Sequence, residues 1–433
     1  MKLYLHDSLG DQRKYLPEKE KITIYVCGPT LYNKLHLGNL RPIVTFDFLI
    51  RYLRELKIPY QYVQNLTDID EKILNKAFKE RREVKEITAE YTEHFYTILR
   101  ELNIILPDIM PSVSENLSEI FAVIETLLNT GKAIWDKNTQ SIKFLQPERD
   151  KTLNYFSPEG LSEADEADFV LWKENNKTPF CFCSPWFEGI PGWHIECFAM
   201  MQKYFEFPLT IHGGGVDLKF PHHENVNLMS RSVFNREIAN IWVHIGQVLN
   251  EQGKLSKSSN YSWTVDECAE KFSWNFLRYI FMKAKYHKPL TVTQQALDLW
   301  WSEWKSYEVA LNYSEVTLLT NRLLSLEEFS PISNPDRYVI EQLEANLNLP
   351  EIVSWLEKLK LSLLSSIKDK NFREIRKLRD SLEYHLKWLG FKVPKLSTED
   401  RMEAEEWFSL LSKKDYKNAD VLRGKLVLKG ILP

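Results

Sequence analysis

The chain has 433 residues, of which 44% are hydrophobic and 27% charged, and its formal net charge is -4. This composition indicates a soluble globular protein of about two to four domains. No apolar run approaches the roughly 18–20 residues that span a bilayer, and the N-terminus lacks the apolar stretch of a secretory signal. Five cysteines without regular spacing indicate reduced thiols and a cytoplasmic location. With this net charge, any nucleic-acid contact must come from local basic patches.

Residues 22–66 have the pattern of a β–α–β unit. The segment 22–27 is apolar and β-branched, 38–56 has apolar residues at helical spacing, and 60–66 alternates as a strand does. Pro42 is compatible with this helix only in its opening turns. A strand, loop, helix and strand in this order predict a parallel, Rossmann-like sheet with ligand-binding loops at its carboxyl edge.

Beyond this unit the pattern changes twice. Two helical segments and a short hairpin predict an inserted unit, after which strands resume at 208–212 and 241–245. Over residues 291–390 the pattern is almost entirely that of amphipathic helices, and after a linker at 392–400 a last helix is predicted from about residue 398 to 411. We therefore expect an α/β protein that ends in an all-α helical bundle. The predicted parts are a split Rossmann-like catalytic domain (1–71 and 168–249), a connective insertion (72–167), a signature-loop region (250–290), a helical bundle (291–390) and a shortened C-terminal segment (391–433).

Two segments have the composition of phosphate-binding loops. His36-Leu-Gly-Asn39 lies between a predicted strand end and a predicted helix start, where unpaired N–H groups and the helix dipole favour an anion. Gly38 would let a phosphate approach the backbone, although a helix cap with an incidental histidine explains the segment equally well. Lys254 and Lys257 suit the triphosphate of ATP, although a single lysine pair is more often a solvated surface. Together the two segments indicate an ATP site.

Three glycines follow the strand predicted at 208–212. Gly213, Gly214 and Gly215 would let a flat ligand lie against the backbone, and Asp217 can accept a hydrogen bond from a ribose or an amine. A tight turn explains the same residues equally well.

Cys27, Cys197 and His222 fall at predicted strand ends or helix starts. Two thiolates and an imidazole are a zinc-binding set, and three protein ligands leave one position for a substrate. Beside an ATP site, such a metal favours a substrate with a soft ligand atom, of which the thiolate of cysteine is the natural example. Two buried cysteines and a surface histidine explain the pattern too. Cys181 and Cys183 form a further pair, either a rival metal site or two reduced thiols.

These segments together resemble the cysteinyl-tRNA synthetases, a family of class I aminoacyl-tRNA synthetases. The likeness runs in order from about residue 1 to 290 and weakens over the helical third of the chain. The matching motifs are Cys27-Gly-Pro-Thr-Leu-Tyr-Asn33, His36-Leu-Gly-Asn-Leu-Arg41, Asn65-Leu-Thr-Asp-Ile-Asp-Glu-Lys72, Asp168-Phe-Val-Leu-Trp-Lys173, Ser184-Pro-Trp186, Pro191-Gly-Trp-His-Ile-Glu-Cys197, His212-Gly-Gly-Gly-Val-Asp217 and Phe220-Pro-His-His-Glu-Asn225.

By this resemblance Cys27, Cys197 and His222 bind one Zn²⁺, which receives the substrate thiolate. The family's fourth ligand is a glutamate one helical turn after the histidine, and here that position is Val226. The fourth place is then left to substrate, to water or to Glu224. A related family, the ligase that joins cysteine to an amino sugar in mycothiol synthesis, uses a Cys-Cys-His set, so Val226 raises that function as an alternative.

The resemblance also implies the reaction and its residues. The chain would form cysteinyl-adenylate from L-cysteine and MgATP and transfer the cysteine to the 3′ end of tRNA(Cys), as a monomer and without an editing domain. The implied residues are His36, Asn39, Lys254 and Lys257 for catalysis; Gly38, Gly213, Gly214 and Gly215, with His36 and Lys257, for ATP; and Gly28, Thr67, Trp193, His194 and Asp217 for the amino acid and its adenylate.

Several positions depart from the family pattern. Leu255 replaces the usual methionine, residues 259–261 lack a usual glycine, and the chain ends without a short basic tail. These departures leave a third hypothesis open, a non-catalytic paralogue that binds cysteine, ATP or RNA.

By the resemblance, 250–290 would contact the tRNA stem and 291–390 would be of the anticodon-binding type. The basic run expected to face the tRNA consists of Lys368, Lys370, Arg373, Arg376, Lys377 and Arg379, and a solvated helix face explains the same residues.

Overall fold

The computed structural model describes residues 2–18, 20–147, 156, 168–250, 253–254, 263–321 and 332–433, with only the backbone described at 253–254. Within this part of the chain, no helix has the length and apolar character needed to cross a membrane. The strands are β1 (Tyr4–Asp7), β2 (Gln12–Tyr15), β3 (Ile22–Val26), β4 (Tyr60–Gln64), β5 (Ala133–Asp136), β6 (Ser141–Phe144), β7 (Phe169–Lys173), β8 (Ile190–Pro191), β9 (Leu209–Gly215), β10 (Ala239–Ile245), β11 (Val248–Asn250), β12 (Gly253–Lys254) and β13 (Leu290–Thr291).

Helices fill the space between these strands and make up the end of the chain. The α-helices are α1 (Leu37–Glu55), α2 (Glu71–Glu80), α3 (Val84–Glu101), α4 (Leu117–Asn129), α5 (Trp193–Tyr204), α6 (Glu224–Phe234), α7 (Val265–Lys271), α8 (Trp274–Ile280), α9 (Gln294–Thr320), α10 (Arg337–Glu344), α11 (Leu349–Lys368), α12 (Phe372–Trp388), α13 (Thr398–Ser412) and α14 (Tyr416–Leu428).

A four-stranded parallel sheet forms the centre of the molecule. Its order is β10-β9-β3-β4, and all three neighbouring pairs are parallel. Helix α1 connects β3 to β4 on one side, and the chain later returns to β9 on the other side. The strand order therefore reverses at the carboxyl end of β3, which is where open parallel sheets bind ligands. The predicted α/β fold with a parallel sheet followed by a helical region is confirmed.

The inserted unit has a sheet of its own. Its hairpin, β5 and β6, pairs antiparallel with β7, and β7 pairs with β8. Strand β7 follows residue 167, so this sheet crosses the predicted boundary between insertion and catalytic domain. The predicted domain limits otherwise stay predictions.

The C-terminal part contains one more helix than the sequence predicts. The expected helix from about residue 398 is α13, and it packs against α14, where no helix was predicted. Both helices lie near the end of α9, where Ala404, Leu426 and Ile431 share a small apolar core with Val316. The last forty residues therefore form a packed helical pair beside the long helix.

Candidate active site

A cleft of about 380 Å³ opens at the carboxyl edge of the parallel sheet. Strand ends, the start of α1 and the start of α5 form its walls, as the strand order of the sheet leads one to expect. The cleft brings together most of the predicted site residues. Those that line it are Cys27, Gly28, His36, Gly38, Asn39, Thr67, Trp193, Cys197, Gly215, Asp217 and His222.

Five predicted residues do not line this cleft in the described structure. Gly213 and Gly214 are buried within β9, which continues through the glycines instead of ending before them. His194 is buried behind His222. The side chain of Lys254 and all of Lys257 lie outside the described residues, although the backbone of Lys254 forms part of β12.

The His36 segment begins α1, as predicted, and its cap faces the cleft. Asn39 Oδ1 accepts a hydrogen bond from the backbone N–H of His36 at 3.3 Å, which closes the first turn of the helix. The N–H of Leu37 donates a hydrogen bond to the carbonyl of Trp263 at 3.3 Å, which joins this segment to the chain just before α7. A histidine at a helix start, with the helix dipole behind it, is a suitable place for a phosphate group.

Arg41 is a site residue that the sequence reasoning did not single out, although it stands inside the matched motif. Its guanidinium is buried and donates to the carbonyl oxygens of Gly246 at 2.7 Å and Gln247 at 3.2 Å. A third bond at 3.2 Å goes to the carbonyl of Lys285. Gly246 and Gln247 line the cleft just after β10. Arg41 therefore attaches this part of the cleft wall to α1, the helix that begins next to His36.

Gly28 and Thr67 lie on two adjacent strand ends and are joined through Asn65. The Oδ1 atom of Asn65 accepts from the N–H of Gly28 at 3.0 Å, and its Nδ2 donates to Thr67 Oγ1 at 3.2 Å. A Cβ atom at Gly28 would lie 1.7 Å from the carbonyl oxygen of Asn65, so only glycine fits here. Asn65 thereby orients the Thr67 hydroxyl at the cleft.

The predicted sulfur and imidazole ligands meet at the end of β3. Cys27 Sγ lies 3.8 Å from Cys197 Sγ and 3.5 Å from His222 Nε2. A further imidazole, not predicted as a ligand, lies nearer, with His223 Nε2 3.3 Å from Cys27 Sγ. Within the described residues, the ligand atoms of Cys27, His222 and His223 form a group that could hold a metal ion, all within 4.8 Å of one another.

His222 is held in place by two neighbours from α5 and by Asn225. Its Nδ1 lies 3.2 Å from His194 Nδ1, and His194 Nε2 lies 3.2 Å from the side-chain amide of Asn225. The ring of Trp193 stacks on the ring of His222, with centroids 4.6 Å apart and planes at 20°. These contacts direct the Nε2 atom of His222 to Cys27. His194 therefore acts in this structure as a support for His222.

Burial sets the charge of the histidines around this cluster. It lowers the pKa of His212 to about 3, and it lowers the pKa of His194, His223 and His244 well below the ordinary value, with smaller contributions from neighbouring charged groups. These four imidazoles are therefore neutral at pH 7, and a neutral imidazole has a nitrogen lone pair that can bind a metal. Neutral histidines around two sulfurs favour a soft divalent cation.

The two sulfurs differ in their tendency to ionise. Burial, followed by the hydrogen bond and charge of Cys197, raises the pKa of the Cys27 thiol. The hydrogen bond with Cys27 and the charge of His222 lower the pKa of Cys197, against the effect of its own burial. Cys197 is therefore the more readily ionised of the two thiols.

The position expected to hold a fourth ligand is apolar. Val226 is fully buried and belongs to the same apolar cluster as Cys197 and Met229. Glu224, the alternative ligand considered from the sequence, accepts a hydrogen bond on Oε2 from the backbone N–H of Phe156 at 2.6 Å. The carboxylate is thus directed to a backbone amide.

The predicted tRNA-facing basic run is partly neutralised within the helical region. Arg376 pairs with Asp380 at 2.8 Å, and Arg379 pairs with Glu315 and Glu383, both at 3.0 Å. A cation bound to carboxylates on its own surface has less charge to offer a phosphate backbone. The exposed members of the run are Lys368, Lys370, Arg373 and Lys377.

The fold and a family model define the class of this protein. The structure is similar to methionyl-tRNA synthetase from Mycobacterium tuberculosis in complex with methionyl-adenylate, with a TM-score of 0.57 and 10% sequence identity over 90% of this chain and 91% of that chain. Residues 14–301 match the family model described as the tRNA synthetases class I (C) catalytic domain. The fold and the matched region are those of a class I aminoacyl-tRNA synthetase.

Curated relatives narrow the class to a family. Cysteine--tRNA ligase from Malacoplasma penetrans is 34% identical over 100% of both chains, and that from Mycoplasma genitalium is 34% identical over 98% of this chain and 99% of its own. Cysteine--tRNA ligase from Mycoplasma pneumoniae is 32% identical over 100% of this chain and 99% of its own. The chain belongs to this family of class I synthetases, which confirms the family predicted from the motifs.

Proposed function

We propose that this protein activates L-cysteine with ATP and transfers it to the 3′ end of tRNA(Cys), with Zn²⁺ bound by Cys27, Cys197 and His222. The observation that carries the proposal is the convergence of these two sulfurs and the imidazole at the cleft that also contains His36 and Asn39. The full-length similarity to enzymes named cysteine--tRNA ligase supports the same substrate.

In the first step the carboxylate of cysteine attacks the α-phosphorus of MgATP, the bond to the β-phosphate breaks, and pyrophosphate leaves. A carboxylate is already ionised at pH 7, so the step needs positioning and charge stabilisation more than a general base. His36, Asn39 and the N-terminus of α1 face the phosphates in this scheme. Lys254 and Lys257 supply positive charge to them, and Gly38 allows their close approach.

The remaining residues position the nucleoside and the amino acid. Gly215, at the end of β9, borders the cleft next to Asp217 and is the natural floor for the adenosine. The buried Gly213 and Gly214 support that floor from within the sheet.

The walls that would contact the amino acid and its adenylate are Gly28, Thr67 and Trp193. His194 contributes through His222, whose ring it holds. In the second step a ribose hydroxyl of the terminal tRNA nucleotide attacks the acyl carbonyl, AMP leaves, and the hydroxyl proton passes to solvent.

Zinc bound at this site would supply a soft Lewis acid that prefers the cysteine thiolate over the hydroxyl of serine. The donor set of the structure fits this role because two sulfurs and an imidazole match the ligands that zinc prefers. A site built around one polar group of the substrate rejects an analogue without it by several orders of magnitude. An editing domain is then unnecessary.

Pyrophosphate exchange followed by tRNA charging tests this function. We expect cysteine-dependent exchange between ATP and pyrophosphate, and transfer of labelled cysteine to tRNA(Cys), with serine inactive in both assays. Exchange without transfer to tRNA would support the ligase that uses an amine acceptor. Bound zinc without exchange would support the non-catalytic paralogue. We further propose that the protein acts in the cytoplasm as a monomer.

A further inference from the structure

The resemblance places a fourth zinc ligand at residue 226, and this chain has a hydrocarbon side chain there. Val226 is buried and has no atom that can bind a metal. Glu224 is bonded to the backbone of Phe156. Another residue must complete the site if four protein ligands are to hold the ion.

His223 has the position that such a ligand requires. Its Nε2 atom lies 3.3 Å from Cys27 Sγ, close to the 3.5 Å of His222 Nε2. A tetrahedral zinc ion with ordinary bond lengths separates a sulfur from a nitrogen by about 3.5 Å and two sulfurs by about 3.8 Å. The distances from Cys27 to His222, to His223 and to Cys197 at 3.8 Å agree with these values, and the group whose ligand atoms all lie within 4.8 Å of one another consists of Cys27, His222 and His223, without Cys197.

The local backbone explains how two consecutive histidines reach one point. In a regular α-helix, neighbouring side chains point about 100° apart. Here His222 and His223 follow a kink at Phe220, which has the extended angles φ -136° and ψ 134°, and they come directly before α6. The two imidazole rings lie 5.4 Å apart at 45°. Both Nε2 atoms thereby face Cys27.

A buried chain of hydrogen bonds leaves the Nε2 atom of His223 with its lone pair directed to Cys27. The hydroxyl of Ser8 lies 3.0 Å from the carbonyl of Trp242, which can only accept, and it also contacts Nδ1 of His244. We assign the one proton of this hydroxyl to the carbonyl, so that Nδ1 of His244 donates to Ser8. His244 Nε2 then accepts from Nδ1 of His223 at 2.6 Å. With this assignment the proton of His223 is on Nδ1, and its Nε2 atom presents a lone pair to Cys27. Metal-bound histidines are ordinarily oriented by a hydrogen bond of this kind.

We propose that His223 is the fourth zinc ligand of this protein, held by His244 and Ser8, in the role that a glutamate has in the family it resembles. This inference rests on the zinc of the proposed function and adds a ligand to it. Replacing a carboxylate by a neutral imidazole makes the site with Zn²⁺ and two thiolates electrically neutral instead of negative. A neutral site attracts the anionic thiolate of a substrate, as a fifth ligand, more strongly than a negative one does.

The coordination of zinc in the full-length protein tests the proposal directly. X-ray absorption at the zinc edge, without substrate, should show two sulfur neighbours and two imidazoles. In H223A, one imidazole should disappear, and zinc affinity measured by competition with a chelator should fall at least about 100-fold, since even outer-shell partners of metal ligands contribute about 10–100-fold. The matched control is H212N, which changes a buried imidazole 4.4 Å from the His223 ring that is not in the ligand group, and its zinc neighbours should be those of the wild type.

A rescue variant separates a lost ligand from a damaged fold. In the double variant H223A/V226E, a carboxylate is placed where the family has one, and zinc affinity should return to within about tenfold of the wild type, with one imidazole and one oxygen in the absorption spectrum. One imidazole in the wild-type spectrum, or unchanged affinity in H223A, would overturn the assignment and leave the proposed function intact. Wild-type protein that takes up no zinc would overturn both.

Discussion

A buried ion pair fastens the helical region to the catalytic sheet, and its loss should destabilise the protein strongly. Arg278 in α8 donates to Asp47 in α1 at 2.6 Å, and the two side chains are 1% and 0% exposed. The same guanidinium donates to the carbonyl of Leu389, at the end of α12, at 3.1 Å, and to that of Leu102, at the end of α3, at 2.9 Å. One cation therefore joins three parts of the chain.

The variant D47A leaves Arg278 buried without its counterion. Removing one partner of a buried ion pair costs about 3–5 kcal/mol, because the remaining charge has no compensation. Asp47 also accepts from the N–H of Ile105 at 2.7 Å, and that donor loses its partner too. We expect the free energy of unfolding to fall by about 3–5 kcal/mol. The milder D47N retains an acceptor oxygen and should fall between D47A and the wild type.

Urea unfolding followed by circular dichroism measures the effect. The control is E341A, which breaks an ion pair with Arg337 whose side chains are 84% and 50% exposed, and it should cost less than about 1 kcal/mol. Arg278 also holds the carbonyl of Leu389 at the end of α12, so the loss of Asp47 should disturb the helical region proposed to bind tRNA. D47A should therefore lower the transfer of cysteine to tRNA more than it lowers pyrophosphate exchange. If the free energy of unfolding of D47A falls by less than about 1 kcal/mol, as in E341A, the ion pair between Arg278 and Asp47 does not stabilise the fold as proposed.

Three further predictions concern the site and its surroundings. C27S should weaken zinc binding at least about 100-fold by chelator competition, and retained zinc with unchanged discrimination against serine would contradict the site. G28A should lower the free energy of unfolding by about 1–3 kcal/mol, since its Cβ would lie 1.7 Å from the carbonyl oxygen of Asn65. The rate of cysteine activation should fall as well. The control is G424A in α14, where an added Cβ would meet no atom within 4 Å beyond its own helix backbone and chain neighbours, so this variant should be neutral or stabilising. Lys173 and Lys177 lower the pKa of Glu71 to about 2, so this carboxylate stabilises the fold above about pH 4.5 and loses its effect as the pH falls towards 2. Between pH 5 and pH 3, E71Q should lose less stability than the wild type, and equal losses would refute the reasoning.

The sequence patterns predicted the central sheet well because its elements are strongly periodic. The segment 22–66 folds as β3, α1 and β4, with bounds within two residues of those predicted. The spacing of apolar residues marks the buried side of a helix or strand clearly when the opposite side faces solvent. Helix α14 was missed for the opposite reason. Its apolar residues Val421 and Leu428 are 73% and 91% exposed, so they do not mark a buried side.

The candidate site was predicted in its residue types and less completely in its contacts. Cys27, Cys197 and His222 come together as expected, because parallel strand ends share one edge. His223 was overlooked because neighbouring residues in a regular helix point about 100° apart, and the sequence does not reveal the kink at Phe220 that precedes the two histidines. The extension of β9 through the glycines was missed because glycine is rare inside strands, and here the neighbouring backbone and Phe46 leave no room for a side chain at Gly213.

The strand β7 ties the inserted unit to the helix that carries Cys197. It pairs with the hairpin of the insertion, and the N–H of Gly192, at the start of α5, donates to the carbonyl of Leu171 in β7 at 2.8 Å. Helix α5 carries both Trp193 and Cys197. A displacement of the hairpin would therefore move a sulfur of the proposed zinc site, so a partner bound to the insertion would be mechanically coupled to the cleft.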